Sequence, residues 1–317
     1  MAQSVAGFRP APRLPLGDRA FSVILALSAG LVLVLILILG LSLAHGSAAA
    51  HAKFSWSFII GTDWDPVHGN FGALPFIYGT LASSLLALLV AVPVGIGTGI
   101  FLAEIAPRSV AGPLAFMIEL LAAVPSVVYG MWGIFVVVPL MQHVQGAVGG
   151  RWGDFFLFSG PPVGIGLLTA SLILAIMILP FIAAITKDSI QAVPRVQAEA
   201  GLALGSTRWE TISGPVLRYA RKGILGGIVL ALGRALGETM AVTMLIGNNP
   251  QIKFSLFRSA YSMAAVLANE FAEATRDLHT SALVAVALTL LGVTLVVNAL
   301  ARLLIWSAIG QTEGRPS

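Results

Sequence analysis

The chain contains no cysteine and very little charge. Of its 317 residues, 10% are Asp, Glu, Lys or Arg, whereas 57% are hydrophobic. The absence of cysteine excludes disulfides, thiolate metal sites and cysteine nucleophiles. Mean hydropathy is +0.92, and several apolar runs reach the roughly 20 residues that a helix needs to cross a bilayer. The composition therefore predicts an integral membrane protein.

Common signatures of enzymes are also missing. A phosphate-binding loop needs a lysine preceded by glycine, but the four lysines follow Ala52, Thr186, Arg221 and Ile252. No serine has glycines two positions away on both sides, which excludes the nucleophile elbow of hydrolases. The five histidines lack the spacing of metal ligands, so no metal site is expected. We therefore expect a chain that is not an enzyme and holds no cofactor.

Six apolar segments predict an all-α integral membrane protein with six transmembrane helices. The spans must be helical because unpaired backbone groups cannot face lipid. We expect residues 1–20 to form a cytoplasmic tail, residues 21–307 a single transmembrane domain, and residues 308–317 a C-terminal tail. The predicted spans are Phe21–Leu43, Leu74–Ala103, Leu114–Leu140, Val163–Thr186, Gly223–Gly247 and Thr280–Ser307.

The distribution of basic residues predicts the orientation of these spans. With the N-terminus in the cytoplasm, twelve basic residues lie on the cytoplasmic side, five lie on the opposite side, and Arg234 lies within a span. Such a bias marks the cytoplasmic loops of membrane proteins. The net charge of +4 thus reflects topology, and no nucleic acid partner is expected. The first apolar run is too long for a signal peptide.

A basic polar segment, residues 187–222, lies between the fourth and fifth predicted spans. It contains the sequence Glu199-Ala-Gly-Leu-Ala-Leu-Gly205. Pro194 suits the first turn of a short helix, and Gly205 suits the left-handed residue that ends one. We call residues 187–222 the elbow.

A second short helix is predicted after Gly205. Thr207 and Glu210 have the spacing of a capping box, and Gly214-Pro215 is expected to interrupt the helix that they begin. The elbow is therefore predicted to be a helix–glycine–helix knob on the cytoplasmic side. The alternative is an ordinary amphipathic linker.

The fifth predicted span contains two charged residues, Arg234 and Glu238. A charge at membrane depth costs at least ~2.5 kcal/mol. Four residues apart on one helical face, the two can partly neutralise each other, and Gly233 and Gly237 have a spacing that lets a neighbouring helix approach. Two interpretations stay open: a buried pair that orders the helices, or a translocation path in which the guanidinium binds a passing oxyanion.

The third predicted span contains Glu119 and Pro125. The proline removes a backbone donor and predicts a break or kink in the helix. In membrane proteins such breaks are tolerated where protein or water lines the site. Glu119 either lines the same path or lies at the cytoplasmic boundary of its span.

The elbow resembles the cytoplasmic loop of ABC importer permeases, whose Glu-Ala-Ala-x-x-x-Gly motif docks into a groove of the ATP-hydrolysing subunit. Glu199, Ala200 and Gly205 match this motif, and Gly201 replaces the second alanine. The resemblance implies that these residues couple the chain to an ATPase. The family usually has a proline about thirteen residues after the glycine. This chain has Arg218 at that position, and its proline comes earlier, at Pro215.

Three further stretches, residues 120–133, 233–242 and 268–274, are similar to the PstC-type permeases of phosphate-specific ABC importers. The resemblance implies a type I importer permease fold in a bacterial inner membrane. It implies a heterodimer with a second related permease, two copies of an ATP-binding subunit that hold ATP and Mg²⁺, and a periplasmic phosphate-binding protein. That protein would dock on the external segments 44–73, 141–162 and 248–279.

The sequence leaves other functions open. Within the same class, the chain could be a permease for sulfate or molybdate, or the sister phosphate permease. An ion-coupled secondary transporter would work without an ATPase. A membrane signalling or scaffold protein would use the elbow to recruit a regulator.

Overall fold

The structure is a computed structural model that describes residues 16–152 and 155–313. Most of the predicted N-terminal tail and the last four residues lie outside this part of the chain. The helices are α1 (Leu16–Gly46), α2 (Ala48–Phe54), α3 (Ser57–Ile60), α4 (Leu74–Ile100), α5 (Arg108–Ala123), α6 (Ser126–Trp132), α7 (Val138–Trp152), α8 (Leu167–Gln191), α9 (Arg195–Ala203), α10 (Arg208–Thr211), α11 (Leu217–Leu236), α12 (Met240–Leu245), α13 (Met263–Glu270) and α14 (Asp277–Glu313).

Irregular elements interrupt this helical architecture. Three π-helical turns follow α4, α6 and α10, at Phe101–Ile105, Gly133–Val137 and Ile212–Val216. Two-residue strands, β1 (Trp64–Asp65) and β2 (Asn70–Phe71), form a small antiparallel pair. The prediction of a helical membrane protein therefore holds, with one short hairpin in an external segment.

Five helical segments of the described chain are long and apolar enough to cross a membrane. They are Ala20–Gly46, Leu74–Ile105, Ser126–Arg151, Leu167–Gln191 and Asp277–Ser307. The predicted fifth span, Gly223–Gly247, differs because the chain leaves the helical conformation between α11 and α12. The predicted third span, Leu114–Leu140, is divided between α5 and α6.

Helices α4 and α8 form the centre of the fold. A Cβ atom on Gly95 would lie 2.8 Å from Cγ2 of Ile182, and one on Gly99 would lie 2.5 Å from Cβ of Thr186. Both distances are shorter than van der Waals contact, so only glycine permits this approach. The two helices bury a continuous apolar surface that includes Ala91 and Ile178.

We predict that Gly99→Ala destabilises the protein by roughly 1–3 kcal/mol, the usual cost of overpacking. The added methyl group would also meet the Ala183 carbonyl oxygen at 2.9 Å. Gly97→Ala on the same helix is the matched control, since no atom lies within 4 Å of its Cβ position. Thermal unfolding in detergent checks this pair, and equal melting temperatures would contradict the packing described.

Two of the segments predicted to be external, 44–73 and 248–279, are linked at Glu270. Its carboxylate accepts hydrogen bonds from Trp64 Nε1 at 2.9 Å and from the Tyr261 hydroxyl at 3.3 Å, and it lies 3.2 Å from Nε2 of His279. Burial and the nearby Glu270 carboxylate raise the pKa of Tyr261 to about 12. Glu270 belongs to the 268–274 stretch, which thus connects the two segments that are predicted to be external.

Candidate functional site

Arg234 lies in the last turn of α11, beside a break in the helix. The helix ends at Leu236, and Glu238 and Thr239 are not helical. The hydroxyl of Thr239 donates to the Gly237 carbonyl at 3.2 Å, a local hydrogen bond of the kind that competes with helical bonding. The positive charge of Arg234 faces the negative end of the helix dipole.

The expected pairing of Arg234 with Glu238 is wrong in this structure. The two residues lie on either side of the helix end and do not share a helical face. In the described part of the chain, no ion pair joins them. The Arg234 guanidinium instead lies over the Phe181 ring, with its Cζ 4.4 Å from the ring centroid. Its side chain is exposed and Glu238 is half-buried, so both charges are available to another group.

A second break lies between α5 and α6, where Pro125 predicts one. Val124 is extended, with φ −65° and ψ 129°, the conformation that a following proline favours. The Tyr129 hydroxyl spans the break by donating to the Leu121 carbonyl at 2.8 Å.

The two breaks are brought together by the packing of α6 against α12. A Cβ atom on Gly130 would lie 2.5 Å from Sδ of Met244 and 3.2 Å from Cα of Ala241. The Tyr129 hydroxyl and the Arg234 guanidinium are close enough to interact electrostatically. Broken helices at membrane depth are found where they line a protein interior or a water-filled cavity. Arg234 and the two breaks therefore form the candidate translocation site.

Glu119 lies on α5, beside Lys187 at the start of the elbow. Its Oε1 is 3.9 Å from Nζ of Lys187, and its side chain is 62% exposed. This position favours the boundary interpretation, and at 3.9 Å with an exposed carboxylate the pair contributes little stability. A role for Glu119 in the path stays a prediction.

The glycines beside Arg234 differ in their surroundings. A Cβ atom on Gly233 would be in ordinary contact with Asn298 of α14, 3.6 Å from its Oδ1. A Cβ atom on Gly237 would meet only carbonyl oxygens of its own helix, the nearest at 3.8 Å. Sequence reasoning assigned no role to the tighter contact at Gly130, because its partner lies more than 100 positions away.

The elbow has the geometry that its glycine and capping residues predict. Gly205 has φ +86°. The Ser206 amide donates to the Gly201 carbonyl at 3.2 Å, and the Gly205 amide donates to the Leu202 carbonyl at 3.0 Å. This is the Schellman arrangement that ends a helix on a left-handed residue.

Gly201 holds the two short helices of the elbow together. The residue is buried, and a Cβ atom there would lie 3.2 Å from Oγ1 of Thr211 and 3.4 Å from Cγ of Pro215. Glycine in place of the second alanine of the motif thus allows closer packing. The second short helix is interrupted at Gly214-Pro215, as expected: α10 ends at Thr211, and a π-helical turn that contains the proline leads directly into α11.

Four large apolar side chains in the two short elbow helices and the turn between them, residues 195–211, are exposed. They are Val196 at 68%, Leu202 at 50%, Leu204 at 88% and Trp209 at 62%. We call these four residues the elbow patch. Glu199 and Ala200 are exposed beside them. A group of exposed apolar side chains of this kind marks an interaction surface.

We predict that Thr207→Ala loosens the second elbow helix. Thr207 Oγ1 accepts from the Glu210 amide, and the Glu210 carboxylate accepts from the Thr207 amide at 2.7 Å. Amide hydrogen exchange at residues 208–211 should become about fivefold faster, the usual effect of losing a threonine cap. Ser213→Ala is the control, since its hydroxyl donates only to carbonyls of the same helix. Equal exchange in both variants would contradict the cap.

The same cap gives the elbow a pH dependence. Hydrogen bonds from the Thr207 amide and hydroxyl hold the pKa of Glu210 below its ordinary value. The cap is therefore complete above the ordinary glutamate pKa and is lost as pH falls through the lowered one. Exchange at residues 208–211 should show this loss in acid in the wild type and not in Glu210→Gln, whose side chain keeps an acceptor oxygen but does not titrate.

Comparison with known proteins identifies the family. The model of the family "binding-protein-dependent transport system inner membrane component" matches residues 95–305. The chain is 49% identical to the phosphate transport system permease protein PstC of Mesorhizobium japonicum, over 92% of this chain and 90% of that protein. It is 49% identical to PstC of Pasteurella multocida, over 85% of each, and 44% identical to PstC of Haemophilus influenzae, over 94% and 96%.

Among solved structures, an inward-facing MetNI methionine ABC transporter aligns with 76% of this chain and 94% of its own. The TM-score is 0.49 and the identity 16%, values too low to support an argument about function. Sequence identity to the permeases above is much higher and extends over nearly the whole chain. The chain therefore belongs to the family of binding-protein-dependent transport system inner membrane components.

Proposed function

We propose that this chain is the permease subunit of an ATP-driven importer that moves inorganic phosphate into the cytoplasm. The observation that carries the proposal is the 44–49% identity to phosphate transport permeases over at least 85% of the chain. Arg234 adds a chemical reason, because a guanidinium presents a planar set of donors that suits phosphate oxygens.

The energy for transport comes from a partner in this proposal. The exposed elbow patch contacts an ATP-binding subunit, present in two copies, which holds ATP and Mg²⁺. A second, related permease completes the membrane part, and a periplasmic phosphate-binding protein delivers the substrate to the external face. The chain lies in the inner membrane of a bacterium with its N-terminus in the cytoplasm, as its basic residues predict.

Phosphate passes Arg234 as the two broken helices move relative to each other. The elbow continues into α11 without a break, so a displacement of Gly205 by the ATPase moves the helix that carries Arg234. Because Glu238 is not bound to Arg234 in this structure, the guanidinium is free for the anion. Glu238 lies only four residues away and can compete for the guanidinium in another state, which would weaken binding and favour release.

Uptake of radiolabelled phosphate at low micromolar concentration tests the proposal. The host cells lack their own high-affinity permease and supply the partner subunits. We expect uptake that unlabelled phosphate suppresses and that excess sulfate or molybdate leaves unchanged. Deleting the ATP-binding subunit should abolish it.

Two results would contradict the proposal. Absence of phosphate uptake although the complex assembles, with uptake of labelled sulfate or molybdate in its place, would assign another oxyanion. Uptake that persists without the ATP-binding subunit would indicate an ion-coupled transporter. Amounts of the permease in the membrane must be equal in all comparisons.

A further inference from the structure

Two adjoining grooves run along α11 from the elbow towards the middle of the membrane region. The first, of about 640 Å³, lies between α11 and α14 and includes Gly226, Leu230 and Trp306. The second, of about 680 Å³, lies between the elbow and the start of α11 and includes Arg218 and Tyr219. Lys222 lines both, so the two grooves form one continuous surface.

The two parts of this surface differ in chemistry. The elbow part is basic, with Arg218, Arg221 and Lys222 in one turn of α11. The membrane part is apolar apart from Lys222 and Arg302. A basic end that continues into an apolar groove matches a molecule with an anionic head and a hydrocarbon tail.

Glycine makes room for the tail along α11. No atom lies within 4 Å of a Cβ position on Gly226, so the groove is empty at this point of α11. Gly223 and Gly227 on the neighbouring face pack against Ser189 and Ile185 of α8. One turn deeper, Leu230 is 63% exposed and offers an apolar wall.

The basic residues are placed for a headgroup at the membrane surface. Gly233 meets Asn298 where the antiparallel helices α11 and α14 touch, and both Lys222 and Arg302 lie on the elbow side of that contact. Arg302 is exposed and has no ion-pair partner in the described part of the chain. Trp306 is 78% exposed at the same end, and tryptophan is favoured at membrane interfaces.

We propose that this surface binds an anionic phospholipid of the cytoplasmic leaflet, with its phosphodiester held by Arg218 and Arg302 and one acyl chain along Gly226 and Leu230. Basic pockets between transmembrane helices on the cytoplasmic side bind such headgroups. The inference rests on the proposed function in one respect: the elbow must lie on the cytoplasmic side of the membrane. It gives Arg218, which replaces the proline usual in the family, a specific role.

Native mass spectrometry of the purified transporter complex tests this site with two probes, dioleoyl phosphatidylglycerol and dioleoyl phosphatidylcholine. We expect phosphatidylglycerol to be retained in preference. Each basic residue near an anionic headgroup contributes about a fivefold gain in binding. Arg218→Ala/Arg302→Ala should therefore bind it about thirtyfold more weakly. Arg108→Ala/Arg195→Ala removes the same charge from exposed positions outside the grooves and should bind as the wild type does.

A second variant tests the groove without changing its charge. Gly226→Leu fills the apolar part and should also reduce retention of phosphatidylglycerol. Gly97→Leu, at another position with no atom within 4 Å, should not. Thermal unfolding identifies any variant that fails to fold. If either the Arg218→Ala/Arg302→Ala variant or Gly226→Leu fails, the other one decides the outcome.

Three results would overturn the inference. Equal retention of the two lipids would show that the basic residues do not select the headgroup. Displacement of phosphatidylglycerol by millimolar inorganic phosphate would show a site for the free ion. Absence of bound lipid from the wild-type complex would show that a partner subunit covers the grooves. The assay requires no transport, so a failure of the proposed substrate leaves its result unaffected.

Discussion

Arg234→Ala is expected to reduce phosphate uptake by about ten- to hundredfold, the usual effect of removing a hydrogen bond to a charged group. The side chain lies beside two helix breaks and contacts the Phe181 ring, with no ion pair to another described residue. Its loss should therefore change little in the fold. Initial rates of radiolabelled phosphate uptake, normalised to permease in the membrane, measure the effect.

The geometry of the guanidinium is tested by Arg234→Lys. A lysine keeps the charge but cannot form two parallel hydrogen bonds to one anion, so we expect it to restore only a small part of the uptake. Arg108→Ala, an exposed arginine at the start of α5, controls for the loss of one positive charge. Full uptake by Arg234→Ala would contradict a path at this residue and return it to a structural role.

Leu204→Glu is expected to separate the permease from its ATP-binding subunit. Leu204 is 88% exposed, so the substitution leaves the folded chain undisturbed. In a docked complex the new carboxylate would be buried without a partner, at a cost of several kcal/mol. The ATP-binding subunit should then no longer copurify with the permease, and phosphate uptake should fall at least tenfold.

Gln191→Glu is the matched control for Leu204→Glu. It adds the same charge at an exposed position of the elbow that lies outside the elbow patch. We expect normal copurification and uptake. If Leu204→Glu retains both, the elbow patch does not bind the ATPase, and another surface must do so.

The elbow could be predicted from the sequence because its signals are local. A left-handed residue at Gly205 requires little more than the glycine after a short helix, and the Thr207–Glu210 cap depends on a spacing of three. The π-helical turn around Pro215 could not be predicted in this way. Its direct continuation into α11 depends on packing against Gly201, which lies in another helix.

The break after Leu236 was not visible in the sequence. The apolar run continues through α12, so its composition predicts an unbroken span. Where the helix ends, the Thr239 hydroxyl donates to the Gly237 carbonyl, and α12 packs against Gly130 of a distant helix. The same break moves Glu238 off the face that carries Arg234, which explains why the expected pair does not form.

The most direct test of ATP-driven phosphate import uses the purified transporter in proteoliposomes. ATP and Mg²⁺ are enclosed on the side that faces the elbow, and the phosphate-binding protein loaded with radiolabelled phosphate is added outside. We predict accumulation that requires both ATP and the binding protein and that is lost with Arg234→Ala. Accumulation without ATP, or equal accumulation by Arg234→Ala, would contradict the account.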